Sequence, residues 1–567
     1  MGKRIPGEES DLMSDPFNSS NVVSYLTAVA ERAPSRQAVI FPHGRSLTGD
    51  TNYKQMTFQQ LDQDCDCYAY GLTKIGIGRG CRVLLMVPPG IEFISLTFAL
   101  FKIGAVPVLI DPGMGKSYLL HCIEEVEPEA LIAVPLLHAL KGLYRKPFRH
   151  VHHAVTVGRR WFWGGHTLDE IKERVWKKFP IADVSSEDPA AVLFTTGSTG
   201  APKGVLYLHS MFDAQIRSIQ SHFHIGEDEV ALQAFAPFAL FSIAMGTTCL
   251  LPHMDPTKPA AVDAREVIRP IQDFGVTYSF GSPLFWQRVS QYCVDHRVQL
   301  PSLKKILLAG APVSAIILQR LKEILPVQAE THTPYGATEA LPVTSISGSE
   351  ILAETVHLSN QGGGICVGGA LPGITLKIIR ISDEPIAKWD ESLLLPPGAI
   401  GEIVVRGAVV TKEYYKREDQ TALAKIQDGS SVWHRMGDLG YLDEKERLWF
   451  CGRKSHRVIT SAKTLFTVPC EAIFNQHPDV FRSALVGIEP KMHQRPVIIV
   501  EPKPGRMPGN KQAARKFADE LLDLGSRNDL TRDIRDVLFH PKFPVDFRHN
   551  AKILREKLAL WAQAKIV

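Results

Sequence analysis

Apolar runs of strand length alternate along this chain with helix-length stretches, and that alternation narrows the fold more than any other feature. Arg82 to Val87 and Val106 to Ile110 read as buried strands, with the helical stretch Ile91 to Phe101 between them. Val276 to Phe280, the helix-like Pro283 to Val298 and the strand Lys305 to Leu308 repeat the pattern. Near-continuous apolar strands separated by helices imply mostly parallel sheets covered on both faces, hence an α/β chain. Around Gly398 to Val410 the pattern switches to short alternating strands, GEIVVRG being the clearest, which predicts a smaller β-rich subdomain. After Gly452 the composition changes again, and the remainder is long enough for a compact α+β domain. The expected division is a disordered lead-in over 1–20, a large N-terminal domain over 21–452 and a small C-terminal domain over 453–567, hinged at Arg453 to His456.

Size and charge bound the function. At 567 residues and 45% hydrophobic content, two or more domains with large cores are expected. The 64 basic and 60 acidic residues nearly balance, so nothing points to nucleic acid. Nine scattered cysteines form no paired framework, which predicts reduced thiols in a cytoplasmic setting. Cys65 and Cys67 lack the second pair that a zinc site needs and read as helix residues. The polar, acidic N-terminus has no signal-peptide core, and no apolar run reaches membrane-spanning length.

The chemistry is announced at Thr195 to Gly204, TTGSTGAPKG, which follows the apolar run Ala190 to Phe194. Glycines let backbone N–H groups approach anionic oxygens closely, hydroxyls add donors, and Lys203 adds a mobile charge, so the loop reads as a phosphate grip. It departs from the Walker pattern, because Pro202 precedes the lysine and Gly204 replaces the magnesium-binding Ser or Thr. Further on come Tyr335-Gly336-Ala337-Thr338-Glu339, Trp433-His434-Arg435-Met436-Gly437-Asp438, Gly452-Arg453 and Asn550-Ala551-Lys552. In this order and at these separations, the five strings resemble the adenylate-forming superfamily of acyl-CoA synthetases, luciferases and peptide-synthetase adenylation domains. The resemblance runs from about Val22 to the C-terminus.

That resemblance implies an enzyme that uses ATP and magnesium: a carboxylate attacks the α-phosphorus, pyrophosphate leaves and an acyl adenylate forms. By it, Thr195, Thr196, Gly197, Ser198, Thr199 and Gly200 would line the β- and γ-phosphates, with Lys203 neutralising them or steadying the loop. Glu339, with Thr196, would hold magnesium, since a hard cation prefers oxygen donors. Tyr335, Gly336 and Ala337 would cover one face of adenine and Gly310, Ala311 and Pro312 the other, while Thr338 would donate to the α-phosphate. Asp438 would accept from the ribose hydroxyls with Arg453 beside the same sugar. Lys552, carried by a mobile C-terminal domain, would enter the site and offset charge in the transition state.

Departures from the pattern narrow the reaction. Thioester-forming members rotate the C-terminal domain to open a thiol tunnel beside a glycine-containing loop. Here the stretch reads GRKSHRVITSAKTLFTVP: Ser455 or His456 replaces the hinge acid, and Ala462 replaces the loop glycine. A β-carbon obstructs positive φ or close backbone approach, which puts thioester formation in doubt. In APFALFS, Ala239 stands where many acyl-CoA synthetases carry a histidine, leaving volume for a branched chain beside an apolar wall of Phe238 and Phe241, with Phe235, Leu240 and Met245 near it.

The HNAKI string, the altered hinge and the Ala239 gate are similar to the β-lactone synthetases of bacterial long-chain olefin biosynthesis, a subgroup of the superfamily. This implies a 2-alkyl-3-hydroxyalkanoic acid as substrate, β-lactone closure by its own hydroxyl, and assembly with neighbouring olefin-pathway enzymes. His209, His456 and His549 are the candidate bases for that closure. The alternatives are a long-chain fatty acyl-CoA or acyl-carrier-protein ligase and, from another class, a non-catalytic scaffold or membrane-docking subunit. The last is prompted by Lys141 to Lys178, dense in Lys, Arg and His and containing Trp161-Phe162-Trp163. This segment is read as a solvated connector whose tryptophans pack inward, in preference to a surface that contacts a membrane or a partner.

Overall fold

The computed structural model describes residues 20–45, 50–195, 201–255, 258–488, 493–545 and 552–566. The expected lead-in falls almost wholly outside these, as does the core of the phosphate loop, Thr196 to Gly200.

Two seven-stranded sheets, each parallel apart from one edge strand, form the frame. The first runs, in spatial order, Glu330–His332, Lys305–Leu308, Tyr278–Gly281, Val230–Gln233, Thr248–Leu250, Gln37–Arg45 and the antiparallel Thr51–Thr57. The second runs His166–Thr167, His153–Thr156, Ala130–Ala133, Arg82–Met86, Val106–Ile110, Pro189–Thr195 and the antiparallel Lys203–Leu208. Between them lies the largest core. It takes Val39, Ala231 and Cys249 from one sheet, and Val83, Ala130 and Ala190 from the other. Every residue of the helix Ile91–Lys102 except Glu92 is buried, as expected of a helix apolar nearly all round. The charge at its end, Lys102, sits within 2.7 Å of the buried Asp62 and also pairs with Asp66.

Local signals set the helix ends. Thr57 and Gln60 form a reciprocal capping box at the start of Phe58–Lys74, which carries Cys65 and Cys67 as read from sequence. Ser282 caps Pro283–His296, where Pro283 occupies the first turn at no hydrogen-bonding cost. All nine cysteines are unpaired.

An eight-stranded antiparallel sheet follows, built from Tyr335–Ala337, Ala340–Ser345, Ile365–Ala370, Leu448–Arg453, Ser431–Leu442, Gly401–Arg406, Thr375–Ile379 and, beside Ser431–Leu442, Lys425–Asp428. Gly401–Arg406, within the range read as β-rich, lies in it next to the edge strand Thr375–Ile379. Beyond Arg453 come a two-stranded hairpin and a three-stranded sheet, Val480–Ile488, Arg495–Pro502 and Asp536–Phe539, packed by Thr467–Phe474, Lys511–Ser526 and Arg555–Ile566. The two apolar clusters there draw every member from after residue 457. Gly452 joins the two regions. Its φ of 127° and a Cβ position only 2.3 Å from Thr467 Oγ1 leave room for no side chain.

Two sequence readings need correction. Trp163 packs inward, but Trp161, Phe162 and Trp176 are exposed, so the connector does not bury its tryptophans. Ala462 takes no left-handed backbone angle. It lies exposed in a turn where Thr460 Oγ1 accepts from the N–H groups of Ala462 and Lys463, so of the two obstacles expected of its β-carbon the left-handed strain does not arise. Among the described residues, no helix is long and apolar enough to cross a membrane.

Candidate active site

The first sheet places a crevice by its topology. The chain leaves Val230–Gln233 for Thr248–Leu250 on one side, then returns to Tyr278–Gly281 on the other. Such a switch of direction opens a cleft at the carboxyl ends of the strands. Into this region projects the helix Ala236–Ala244, started by Pro237. Phe238 stacks on Phe280 at 3.8 Å with an 8° interplanar angle, and Phe241 packs 5.5 Å from Phe238. Both keep partly exposed faces. Ala239 does not: it has no exposed surface and belongs to the core between the sheets. Its direct contact with a substrate is therefore not part of this arrangement.

Gly310 to Pro312 and Tyr335 leave the same end of the sheet, because Lys305–Leu308 and Glu330–His332 are adjacent parallel strands. Gly310 has φ of 91°, a left-handed angle that suits glycine. Gly336 is required for a different reason. A Cβ there would lie 2.7 Å from the carbonyl of Ala340, where the chain doubles back. The Tyr335 ring is partly exposed, and its hydroxyl donates to Asp438 Oδ2 at 2.7 Å.

Asp438 is buried, on Ser431–Leu442 directly opposite Arg453 on the next strand. Arg453 lies 3.0 Å from its Oδ1. Burial pushes the Asp438 carboxyl above the usual carboxylate range, opposed by the charge of Arg453, the Tyr335 hydroxyl and the ammonium of Lys552. Lys552 from the far end of the sequence is thus within electrostatic reach of Asp438. Its placement is fixed locally: Val545 and Ile553 close the base of its loop, and Arg555 Nη2 holds the buried Glu471 at 2.7 Å.

The strands that flank the phosphate loop are antiparallel, with Thr195 paired to Lys203. Thr196 to Gly200, the expected lining, lie outside the described residues, as do Ala551 and His549. The strand pair is fastened to the Glu339 segment. The Tyr207 hydroxyl donates to the carbonyl of Thr338, and the Tyr415 N–H donates to the carbonyl of Gly204 at 2.7 Å. Tyr414 donates to Glu339 Oε1 at 2.7 Å, while Lys203 Nζ lies 4.9 Å over the Tyr414 ring. Burial lowers the Lys203 pKa, and Glu339 partly offsets the fall.

Sequence reasoning missed the support beneath Glu339. Thr411 donates through both N–H and hydroxyl to the Glu339 carbonyl, at 2.9 and 3.1 Å. The fully buried Lys425 donates in turn to the Thr411 carbonyl and hydroxyl. Desolvation pushes Lys425 down to about 7 and holds the neighbouring, buried His434 well below the usual histidine range. A lysine followed by an apolar residue gives no such hint. The only signal was its place on a strand next to WHRMGD.

Lys425 makes a prediction with a definite sign. In the unfolded chain it titrates near 10.5 and in the folded one near 7, so between these values only the unfolded state holds the proton. Stability therefore rises from pH 7 towards pH 10 and is flat in this group below 7. The Lys425→Met variant removes that rise, by up to about 1.4 kcal/mol per pH unit. Urea titrations of both proteins across pH 7 to 10 test it: parallel curves would refute the assignment.

The candidate bases separate. His209 is buried in the core, accepts from the Val22 N–H at 3.2 Å and is pushed down to about 4 by burial, which marks it as structural. His456 lies 3.0 Å from Glu556 in the short turn Lys454–His456. That turn is anchored where Lys454 meets the buried Glu402 at 2.9 Å, and Glu402 also pairs with buried Arg435 at 2.7 Å.

Comparison with known proteins places this geometry. The family model described as "AMP-binding enzyme" matches residues 26–415. An olefin beta-lactone synthetase of Xanthomonas campestris pv. campestris is 43% identical over 552 residues, covering 96% of this chain and 97% of that protein. Another, of Stenotrophomonas maltophilia, is 42% identical over 556 residues, covering 96% and 98%. The solved structure of an amide bond synthetase from Marinactinospora thermotolerans superposes with a TM-score of 0.76 at 22% identity, over 95% of this chain and 99% of that one, and so shares the fold. The chain belongs to the AMP-binding enzyme family, the adenylate-forming superfamily, and within it to the group that contains the olefin β-lactone synthetases.

Proposed function

We propose that this protein activates a long-chain 2-alkyl-3-hydroxyalkanoic acid with ATP and closes it to a β-lactone. One observation carries the choice of product: the similarity to two olefin beta-lactone synthetases, at 43% and 42% identity, covers 96% of this chain and nearly all of each relative.

In the first half-reaction a carboxylate oxygen bonds to the α-phosphorus as the bond to the β-phosphate oxygen breaks, releasing pyrophosphate. Asp438 and Arg453 hold the ribose, Tyr335 faces adenine opposite Gly310 to Pro312, and Thr338 donates to the α-phosphate. Thr195 to Gly200 and Lys203 line the outgoing phosphates. Lys552 brings its ammonium to the developing charge, where a fixed cation in a site shielded from water counts for most. Residues 21–452 form the cradle, and 453–567 form the lid that carries this lysine.

Glu339 suits a hard divalent cation. Tyr414 occupies one of its oxygens and leaves the other without a partner among the described residues. Magnesium held there, with Thr196 beside it, supplies positive charge against the phosphate oxygens.

In the second half-reaction the 3-hydroxyl oxygen bonds to the carbonyl carbon, the bond from that carbon to the AMP oxygen breaks, and the hydroxyl proton is released. Both partners are tethered in one molecule, an advantage equivalent to effective concentrations on the order of 10⁵ M when alignment is good. Phe238 and Phe241 orient the acyl chain so that the hydroxyl meets the carbonyl. In the cell, the enzyme works in the cytoplasm in assembly with other enzymes of the same olefin pathway.

Purified protein given ATP, magnesium and a 2-alkyl-3-hydroxy acid is expected to yield AMP and a β-lactone with no added thiol. A product that appears only when CoA is present would overturn lactone formation. Absence of carboxylate-dependent exchange of pyrophosphate into ATP would overturn acid activation itself.

A further inference from the structure

Four large apolar side chains stand in solvent on two touching segments. Leu136 and Leu143 are 76% and 78% exposed, seven residues apart and so on one side of the helix Pro135–Leu143. Trp161 and Phe162 are 57% and 85% exposed. The segments meet where the Trp163 ring stacks on His138 at 5.5 Å and 11°, with Trp163 Nε1 donating to Thr156 Oγ1 at 2.9 Å. Trp163 pins the turn, and its two neighbours face outward with ring centres 5.4 and 5.2 Å away.

The charge around these rings has one sign. From Ala130 to Leu168 the sequence contains six Lys or Arg and no Asp or Glu. Carboxylates from adjoining elements engage three of the six. Lys146 and Arg149 meet Glu124 and Glu127, and Arg160 meets Glu170. Arg145 and Arg159 are exposed and have no carboxylate partner among the described residues, whereas Lys141 lies on the inward side of its helix with Leu137 and His138.

Exposed indole and phenyl rings interleaved with unpaired cations match the water–lipid boundary, where rings sit at headgroup depth and cations meet phosphate. We propose that this surface docks the enzyme on an anionic phospholipid bilayer, Trp161 and Phe162 entering the headgroup layer and Arg145 and Arg159 facing lipid phosphates. The proposal goes beyond acid activation and does not depend on which product is made.

Flotation of the full-length protein tests it, with vesicles of phosphatidylglycerol and phosphatidylcholine against vesicles of phosphatidylcholine alone. The protein is expected to float with the anionic vesicles and to be released by salt. Two independent variants, Trp161→Ser with Phe162→Ser, and Arg145→Glu with Arg159→Glu, are each expected to reduce the bound fraction about tenfold or more. Both should keep pyrophosphate exchange with a soluble acid in the absence of vesicles, and should either variant fail to fold, the other decides. Failure to float with either vesicle, equal binding to both, or variants that float like the parent would overturn the proposal. So would self-association without lipid that the aromatic variant abolishes, because the surface would then belong to a second copy.

Discussion

The Lys552→Ala variant is expected to bind ATP as the parent does and to lose carboxylate-dependent pyrophosphate exchange by a factor of about 10² to 10³. The reasoning starts from position. Lys552 follows a loop closed by Val545 and Ile553, next to an Arg555 clamped on Glu471, and its charge reaches Asp438 in the cradle. On the proposed roles, an ammonium brought in by a separate unit would contribute little to the resting nucleotide, which Asp438, Arg453 and Tyr335 would already surround. It contributes most when charge spreads over the α-phosphate. Lys552→Arg keeps the charge but presents a broad planar fork where a compact ammonium is needed, so it should restore only part of the loss. Exchange kinetics and equilibrium nucleotide binding, measured on the same preparations, separate the two effects. Parental exchange by Lys552→Ala would remove the lysine from the reaction.

Glu402→Ala should cost about 3–5 kcal/mol of stability, because it strands a buried guanidinium. Arg435 and Glu402 have side chains 1% and 0% exposed, and Arg435 also donates to the carbonyls of Ser382, Glu384 and Leu423. Lys454 loses its anchor in the same step. An exposed pair such as Lys412 and Glu187 is the control. With both side chains more than half exposed, Glu187→Ala should change stability by no more than about 1 kcal/mol. Urea unfolding followed by intrinsic fluorescence compares the three proteins. If Glu402→Ala unfolded with the parent, the buried cluster would not hold this sheet together.

Much of the frame was legible because periodicity reports burial directly. Lys305 to Leu308 was read to the residue, and the helix read as Ile91 to Phe101 extends only to Lys102. The site was legible where short strings keep their chemistry in order, as with Tyr335 and Asp438, which are 103 residues apart and joined by one hydrogen bond. What could not be read was support that depends on folding alone. Tyr414 meets Glu339 across 75 residues, and Lys425 reaches it only through Thr411. No spacing rule connects such pairs. Trp161 failed for the converse reason. An indole in a sequence argues for burial on average, and only the Trp163–His138 stack decides which ring of the trio goes inside.

The order of strands in the first sheet has a consequence for how such enzymes diversify. The Phe238 helix springs from one flank of the turning point in the connections, while the adenine shelf at Gly310 and the Tyr335 hairpin spring from strands on the other flank. On the proposed roles, substitutions on this helix bear on the nucleotide side through the Phe238–Phe280 stack, so a lineage that changes its acid must respect that contact.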